Sequence, residues 1–249
     1  MKTAISVNNL EKEFDGKELF SNISFDVKQG EIIAIFGPNG CGKSTLMNIL
    51  SGVISQSRGN YTINDSSKKN FSYIFQNYRD SLLPWKNNYD NMILPLTLKG
   101  KRNGSVRKKV KELNKIFDFN SQFEMFPYEL SGGQQQILAF MRALATEPNI
   151  LFIDEPFSAL DYENDLKLRE HLLNYHARYK PTILIITHNI EEAVHLANKI
   201  IILSKKPAKI IDIIKNNSTY PRKLNYIKTK QFYKTKEKVL DAFLRGANL

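Results

Sequence analysis

Four short stretches of this 249-residue chain carry the residue types and spacings that could do chemistry. Residues 37–45 read GPNGCGKST, a G-x4-G-K-S/T loop whose backbone N–H groups can cradle phosphates. Gly37, Gly40 and Gly42 let successive N–H groups turn inward as an anion nest. Lys43 can reach β and γ phosphates, and the Ser44 hydroxyl suits Mg²⁺. A helix beginning near Lys43 adds its positive end. The whole segment, with Pro38, Asn39, Cys41 and Thr45, is therefore a predicted nucleotide-binding loop. Residues 150–156, ILFIDEP, put Asp154 and Glu155 at the carboxyl end of a buried strand, where open α/β sheets bind ligands. Asp154 can hold Mg²⁺ through water, and Glu155 can polarise an attacking water as general base. TILIITH (182–188) repeats that geometry with His188 at the strand end. In LSGGQQQ (130–136), Ser131 and Gln134 form a capping box around Gly132 and Gly133. Those glycines leave backbone N–H groups open at a helix start, a second anion site. The chain thus offers two phosphate-binding helix ends but one phosphate loop. A two-fold dimer holding each ATP between both subunits satisfies that count, and so does ordinary helix capping.

The surrounding pattern supplies elements to position these groups. The first 35 residues alternate like antiparallel strands, with Asp15-Gly16 between two such runs as a hairpin signal. EIIAIF (31–36) runs straight into the phosphate loop, and ILFI (150–153) and TILII (182–186) read as fully buried strands. Continuous apolar runs separated by helices are what a parallel sheet covered on both faces requires. Between Gln76 and Thr146 the pattern turns helical. Val106, Val110, Leu113 and Phe117 share one helical face, and Ser121-x-x-Glu124 reads as a capping box. After about Asn216 a loop leads into an amphipathic helix with Phe232, Val239, Leu240 and Phe243 as its apolar side.

Composition narrows the class. One cysteine cannot form an internal disulfide or a Cys-based zinc site. No apolar run approaches the roughly 18 residues of a membrane span, mean hydropathy is −0.37, and the start, MKTAISVNNLEKEF, lacks an export h-region. A soluble, cytosolic protein is expected. The net charge is +11, from 36 basic and 25 acidic residues. Residues 205–249 hold 12 basic and 3 acidic residues, a net of +9, so the excess belongs mostly to the tail. A second run, Lys99 to Lys111, has seven basic residues and no acidic one. Both read either as solvated surface or as faces toward anionic lipid head groups.

Taken together, these residues resemble the ATP-binding subunit of an ABC transporter. GPNGCGKST matches the Walker A loop, ILFIDEP the Walker B strand, LSGGQ the signature, SALD (158–161) the D-loop and His188 the switch histidine. Gln76 matches the Q-loop glutamine and Phe14 the aromatic that stacks on adenine. The match runs in order from about residue 5 to 205. It implies a P-loop ABC ATPase core with an antiparallel β subdomain, an inserted helical subdomain at about 77–147 and a C-terminal tail at 216–249 after an ATP-binding domain of 1–215. It also implies ATP and Mg²⁺ as cofactors, Gln76 at the metal and the attacking water, Ser131 and Gly133 on the γ-phosphate of the partner's ATP, and Asp161 coupling the two sites. FQNYRDSLLPWKNNYDNMILPL (75–96), DEPFSALD and THNIEEAVHLANKIIILS look like the nitrate/sulfonate/taurine import group; SKKPAKI and YPRKL (220–224) fit it more weakly. Members of that group import small anions or related metabolites. The resemblance places the subunit as a peripheral homodimer on the cytoplasmic membrane face. A permease docks near Gln76–Leu96, with Leu83 and Trp85 as candidate contacts, and an extracytoplasmic substrate-binding protein acts through it.

Ile137 stands where the group usually has arginine, and Asn189 where it usually has aspartate, though asparagine caps a helix equally well. Cys41, close to a helix start, is expected to have a lowered thiol pKa or to be a small filler whose alkylation blocks turnover and against which ATP protects. A rival reading, a soluble ABC-type protein acting on DNA or ribosomes, expects zinc sites, coiled-coil insertions or tandem cassettes, none of which the sequence shows. No nucleic-acid partner is expected.

Overall fold

The computed structural model describes residues 2–64, 70–119, 122–158 and 160–247. Its frame is a six-stranded sheet ordered β5-β6-β7-β3-β8-β9. These strands are β3 (Ile32–Phe36), β5 (Phe71–Ile74), β6 (Ile150–Asp154), β7 (Thr182–Ile186), β8 (Lys199–Leu203) and β9 (Ile210–Lys215). All neighbours run parallel except β9, which is antiparallel to β8. Every residue of β3, β6 and β7 is buried, as the unbroken apolar runs predict. Strand alternation then sends successive side chains to two separate cores. Ile32, Ala34 and Phe36 join the larger, helix-covered core, while Ile33 and Ile35 join the smaller one beneath the antiparallel sheet.

That second sheet has the order β2-β1-β4, from β1 (Thr3–Phe14), β2 (Lys17–Lys28) and β4 (Arg58–Ile63). The β1–β2 hairpin turns at Asp15-Gly16, with φ of 50° and 72°, the paired left-handed conformation that an Asp-Gly turn accommodates.

Helix α1 (Lys43–Leu50) follows the phosphate loop. Between β5 and β6 lie α2 (Asn88–Leu98), α3 (Asn103–Phe117) and α4 (Gly132–Leu144). The α3 face forecast from spacing is the buried one: Val106, Val110, Leu113 and Phe117 are all in the core. Glu124 is described, but Ser121 lies outside the described residues, as does Ala159 of the SALD stretch. Helix α5 (Tyr162–Tyr179) precedes β7, α6 (Ile190–Leu196) precedes β8, and α7 (Lys230–Ala247) ends the described chain.

One feature of α7 departs from expectation. Its buried face runs Phe232, Thr235, Val239 and Ala242, steps of three and four residues. Leu240 sits one residue, about 100° of helix, away from Val239 and is 41% exposed. Thr235 takes the inward place because its hydroxyl donates to the Gln231 carbonyl at 2.9 Å. Phe243 packs edge-on against Phe36 with ring centres 5.2 Å apart.

Candidate active site

The strand order explains why residues more than 140 positions apart in the chain can meet. β6, β7 and β3 are consecutive in the sheet and parallel, so their carboxyl ends lie side by side. The phosphate loop leaves β3, Asp154 and Glu155 end β6, and His188 follows β7. An open cavity of about 340 Å³ at this edge is lined by Asn39, Gly40, Gly42, Lys43, Ser44, Thr45, Gln76, Glu155 and Leu19.

Gly42 has φ 102°, a left-handed conformation that strains any side chain. A Cβ there would also meet Leu19 and Phe20 at 3.0 Å. As the residue before α1 it offers no side-chain cap, so the first-turn N–H groups face the cavity without an internal competitor. The buried Lys43 ammonium donates to the carbonyls of Gly37 and Pro38, both at 2.9 Å. It is held over the loop where an anion would receive it.

Two predicted residues converge on one oxygen of a third. The Gln76 side-chain amide donates to Glu155 Oε2 at 3.3 Å, and His188 Nδ1 lies 3.2 Å from the same atom. Glu155 itself has φ 44°, and its backbone N–H donates to the Ile186 carbonyl at 3.0 Å. A non-glycine residue held in that region is costly and clusters at functional positions. Beside it, Asp154 is buried with Oδ1 unpartnered, and its carboxylate takes a hydrogen bond from Ser44. Burial raises the Asp154 pKa, the neighbouring Glu155 charge adds to the rise, and Ser44 and Lys43 oppose it. A buried carboxylate with an idle oxygen beside a hydroxyl suits a hard cation. Among the described residues no cluster of three His, Cys, Asp or Glu side chains could hold a metal alone. A Mg²⁺ here would therefore draw most of its ligands from substrate oxygens and water, as Mg²⁺ commonly does.

Other predicted residues stand outside the cavity lining. Phe14 ends β1, 49% exposed, with the Lys12 ammonium 4.6 Å from its ring centre. Asp161 caps α5 by accepting from the Asn164 N–H at 2.9 Å, a bond that holds its pKa below the usual carboxylate range. Ser131 and Gln134 complete the capping box of α4: Ser131 N–H donates to Gln134 Oε1 at 2.8 Å, and Gln134 N–H to Ser131 Oγ at 3.4 Å. A Cβ on Gly133 would make only ordinary contacts, 3.5 Å from Leu160 and 3.6 Å from Asn164. The chain's own packing therefore does not require glycine at this position.

Of the two readings of Cys41, the structure supports the small filler and not the lowered thiol pKa. Its thiol is buried and lies against Gly37, where an added Cβ would be 3.3 Å from the sulfur. Burial pushes the thiol pKa up, outweighing the opposing effects of Lys43 and the loop N–H groups. Its side chain fills the smaller core, leaving only its backbone to face a ligand. Ile137 is half-buried against the larger core, and Asn189 caps α6 by accepting from the Glu191 N–H at 2.9 Å.

Sequence reasoning missed several supports. Leu19 floors the cavity. Tyr78 Oη donates to the Gly132 carbonyl at 3.0 Å, and Arg142 donates to the Ser81 carbonyl. Both tie the segment after Gln76 to the helix that begins at the signature. Behind His188, Arg169 bonds Asp165, lies 3.7 Å from Glu192, and Glu192 accepts from the Thr187 hydroxyl. The Asp165–Arg169 pair has i,i+4 helical spacing, but no local periodicity announces the contact with Glu192.

A profile of the ABC transporter family matches residues 20–158, more than half of the chain. The chain belongs to the ABC transporter ATP-binding family. An aliphatic sulfonates import ATP-binding protein of Bacillus cereus is 38% identical over 251 residues, covering 97% of this chain and 96% of the relative. Its counterpart in Bacillus subtilis is 35% identical over 254 residues, covering 99% and 96%. Among solved structures, a dimeric ATP-binding cassette in a post-hydrolysis state, bound to ADP and Pi, superposes with a TM-score of 0.73 at 28% identity, covering 86% of this chain and all of the other. This ABC protein is an ATPase with the P-loop cassette fold, and the cavity at the β3–β6–β7 edge is where its phosphate loop, Gln76 and Glu155 gather.

Proposed function

We propose that this ATPase energises import of a small anion of the sulfonate type, as the peripheral subunit of a membrane complex. The observation that carries the catalytic part is the meeting of Gln76 and His188 on one oxygen of Glu155, at the mouth of the phosphate-loop cavity. Lys43 and the loop N–H groups bind the β and γ phosphates. Glu155 accepts the proton of the attacking water, and Gln76 and His188 hold its carboxylate and the water in line. Ser44, Asp154 and Gln76 would hold Mg²⁺, which would supply charge neutralisation at the transferring phosphoryl group. Phe14 stacks on adenine. Ser131, Gly132, Gly133 and Gln134 face the γ-phosphate of a second subunit's ATP, and Asp161 links the two sites. What supports the shared arrangement is that the signature glycines lie outside the chain's own cavity lining while Gly133 serves no internal packing need.

On this reading residues 1–215 form the ATP-binding body, about 77–147 its helical subdomain and 216–249 the tail. The permease seats on the segment Gln76–Leu96, and an extracytoplasmic binding protein delivers the substrate to it. Supporting that surface, Trp85 is 72% exposed and Leu83 only half-buried. Among the described residues no helix is long and apolar enough to cross a membrane, so attachment runs through such a partner. The sulfonate class rests on the two Bacillus relatives.

The test is capture from detergent-solubilised native membranes with tagged Glu155→Gln protein and ATP. The expected result is co-purification of a multi-span permease, lost on Trp85→Asp. Recovery of soluble or nucleic-acid-bound partners alone would overturn the importer reading and leave the ATPase standing.

A further inference from the structure

The basic tail contains a cation that solvent does not reach. Arg222 is 3% exposed, and burying a charge is expensive unless its hydrogen bonds are replaced. Its Nη1 donates to the carbonyls of His195 at 3.2 Å and Ala197 at 2.9 Å and to Tyr220 Oη at 3.2 Å. Its Nη2 donates to the Asn216 carbonyl at 3.1 Å. The guanidinium also lies 4.4 Å from the Tyr220 ring centre and 5.4 Å from that of Tyr226, so aromatic faces stand in for a carboxylate.

The carbonyls it chooses are informative. His195 and Ala197 close the carboxyl end of α6, the negative end of the helix dipole. Two more tail contacts hold the same helix. Asn216 Nδ2 donates to the Val194 carbonyl at 2.8 Å, and Lys236 Nζ reaches Glu191 Oε1 at 2.6 Å. In return, His195, itself fully buried, sets Nε2 at 3.2 Å from the Arg222 carbonyl. The tail thus grips both ends of a seven-residue helix, about 10 Å long at 1.5 Å per residue. Two residues before that helix, ahead of its cap Asn189, stands His188, 3.2 Å from Glu155. On the opposite side the helix is tied through Glu192 to Thr187 and Arg169.

We propose that Arg222 is a positioning residue for ATP hydrolysis: by capping the carboxyl end of α6, it holds His188 at the Glu155 carboxylate. The tail is then a brace on the switch histidine, and its remaining lysines are solvated surface. This rests on the role given to His188 above.

The test is a double-mutant cycle on steady-state ATP hydrolysis by the full chain, run well below each variant's melting temperature. Arg222→Lys keeps the charge but loses the planar fork. It is expected to lower kcat about threefold to tenfold while KM for ATP stays within about twofold. In the His188→Ala background the same substitution should leave the residual kcat unchanged, because both act through one group. If Arg222→Lys does not fold, Lys236→Met, a half-exposed change in the same brace, is carried through the same cycle with a loss of about twofold to threefold expected. Losses that multiply in the His188→Ala background, or a KM effect without a kcat effect, overturn the proposal and leave the role of His188 intact. Wild-type turnover by His188→Ala alone overturns that role, and the brace with it.

Discussion

Two helices of this protein begin with glycine-rich loops, and they end their loops differently. Helix α1 starts behind Gly42, which has no side chain to cap it, and its first turn opens onto a cavity that also contains Lys43, Gln76 and Glu155. Helix α4 starts behind Ser131, whose capping box with Gln134 satisfies two donors internally. The first end has a charged lysine, a left-handed glycine that no other residue could replace without strain, and a neighbouring carboxylate pair. The second has none of these and lies outside the lining of that cavity. The first is organised as a site in its own right. The second makes sense as half of one, waiting for groups it does not own.

Substitutions can break that contrast. Lys43→Ala should have the largest effect, removing the charge that meets the β and γ phosphates and lowering ATPase turnover by about a thousandfold or more; turnover within tenfold of wild type would mean α1 is not the phosphate site. Glu155→Gln should lower turnover about a hundredfold or more while ATP still binds, as expected for loss of a general base, measured by single-turnover hydrolysis alongside nucleotide binding.

A gentler variant sharpens the comparison. A methyl group on Gly133 meets no clash and replaces a flexible residue inside a helix, so Gly133→Ala should leave the melting temperature unchanged or raise stability by up to about 1 kcal/mol. Turnover should nonetheless fall. A fall in stability would show that the glycine serves the chain's own fold.

The smallest effect concerns pH. Burial, with the Arg169 charge second, lowers the His195 pKa from 6.5 to about 4. Burial also lowers His171 and His176. An unfolded chain binds protons at these rings that the folded chain refuses, so their contribution is complete above pH 6.5 and is lost as pH falls toward 4. From pH 7.5 to 5.5, His195 alone should cost about 1 kcal/mol of stability. Urea unfolding of His195→Gln should show a shallower decline over that window than wild type.

The phosphate loop, the Walker B carboxylates and the three buried strands were legible because each is local: a run of apolar residues, or a spacing within nine positions. The Asp15-Gly16 hairpin and the α3 face were readable for the same reason. For Cys41 the filler reading agrees with the structure and the helix-dipole reading does not, because a dipole argument ignores how deeply the loop seats the thiol. Leu240 misled because hydrophobicity was weighed without the hydroxyl of Thr235, which satisfies itself on its own helix. Arg222 and Arg169 were illegible as anything but charge. Beside near neighbours, Arg222 reaches the Ala197 carbonyl and Arg169 reaches Glu192, each more than 20 residues away on an element that only the fold brings close.

On the proposed shared arrangement, the signature helix completes another chain's site. Glu155→Gln protein should run as a dimer in ATP and a monomer in ADP by light scattering, and adding Gly133→Asp should abolish the dimer while leaving ATP affinity of the monomer unchanged. A Gly133→Asp, Glu155→Gln protein that still dimerises in ATP, or one that loses ATP binding as a monomer, would contradict it.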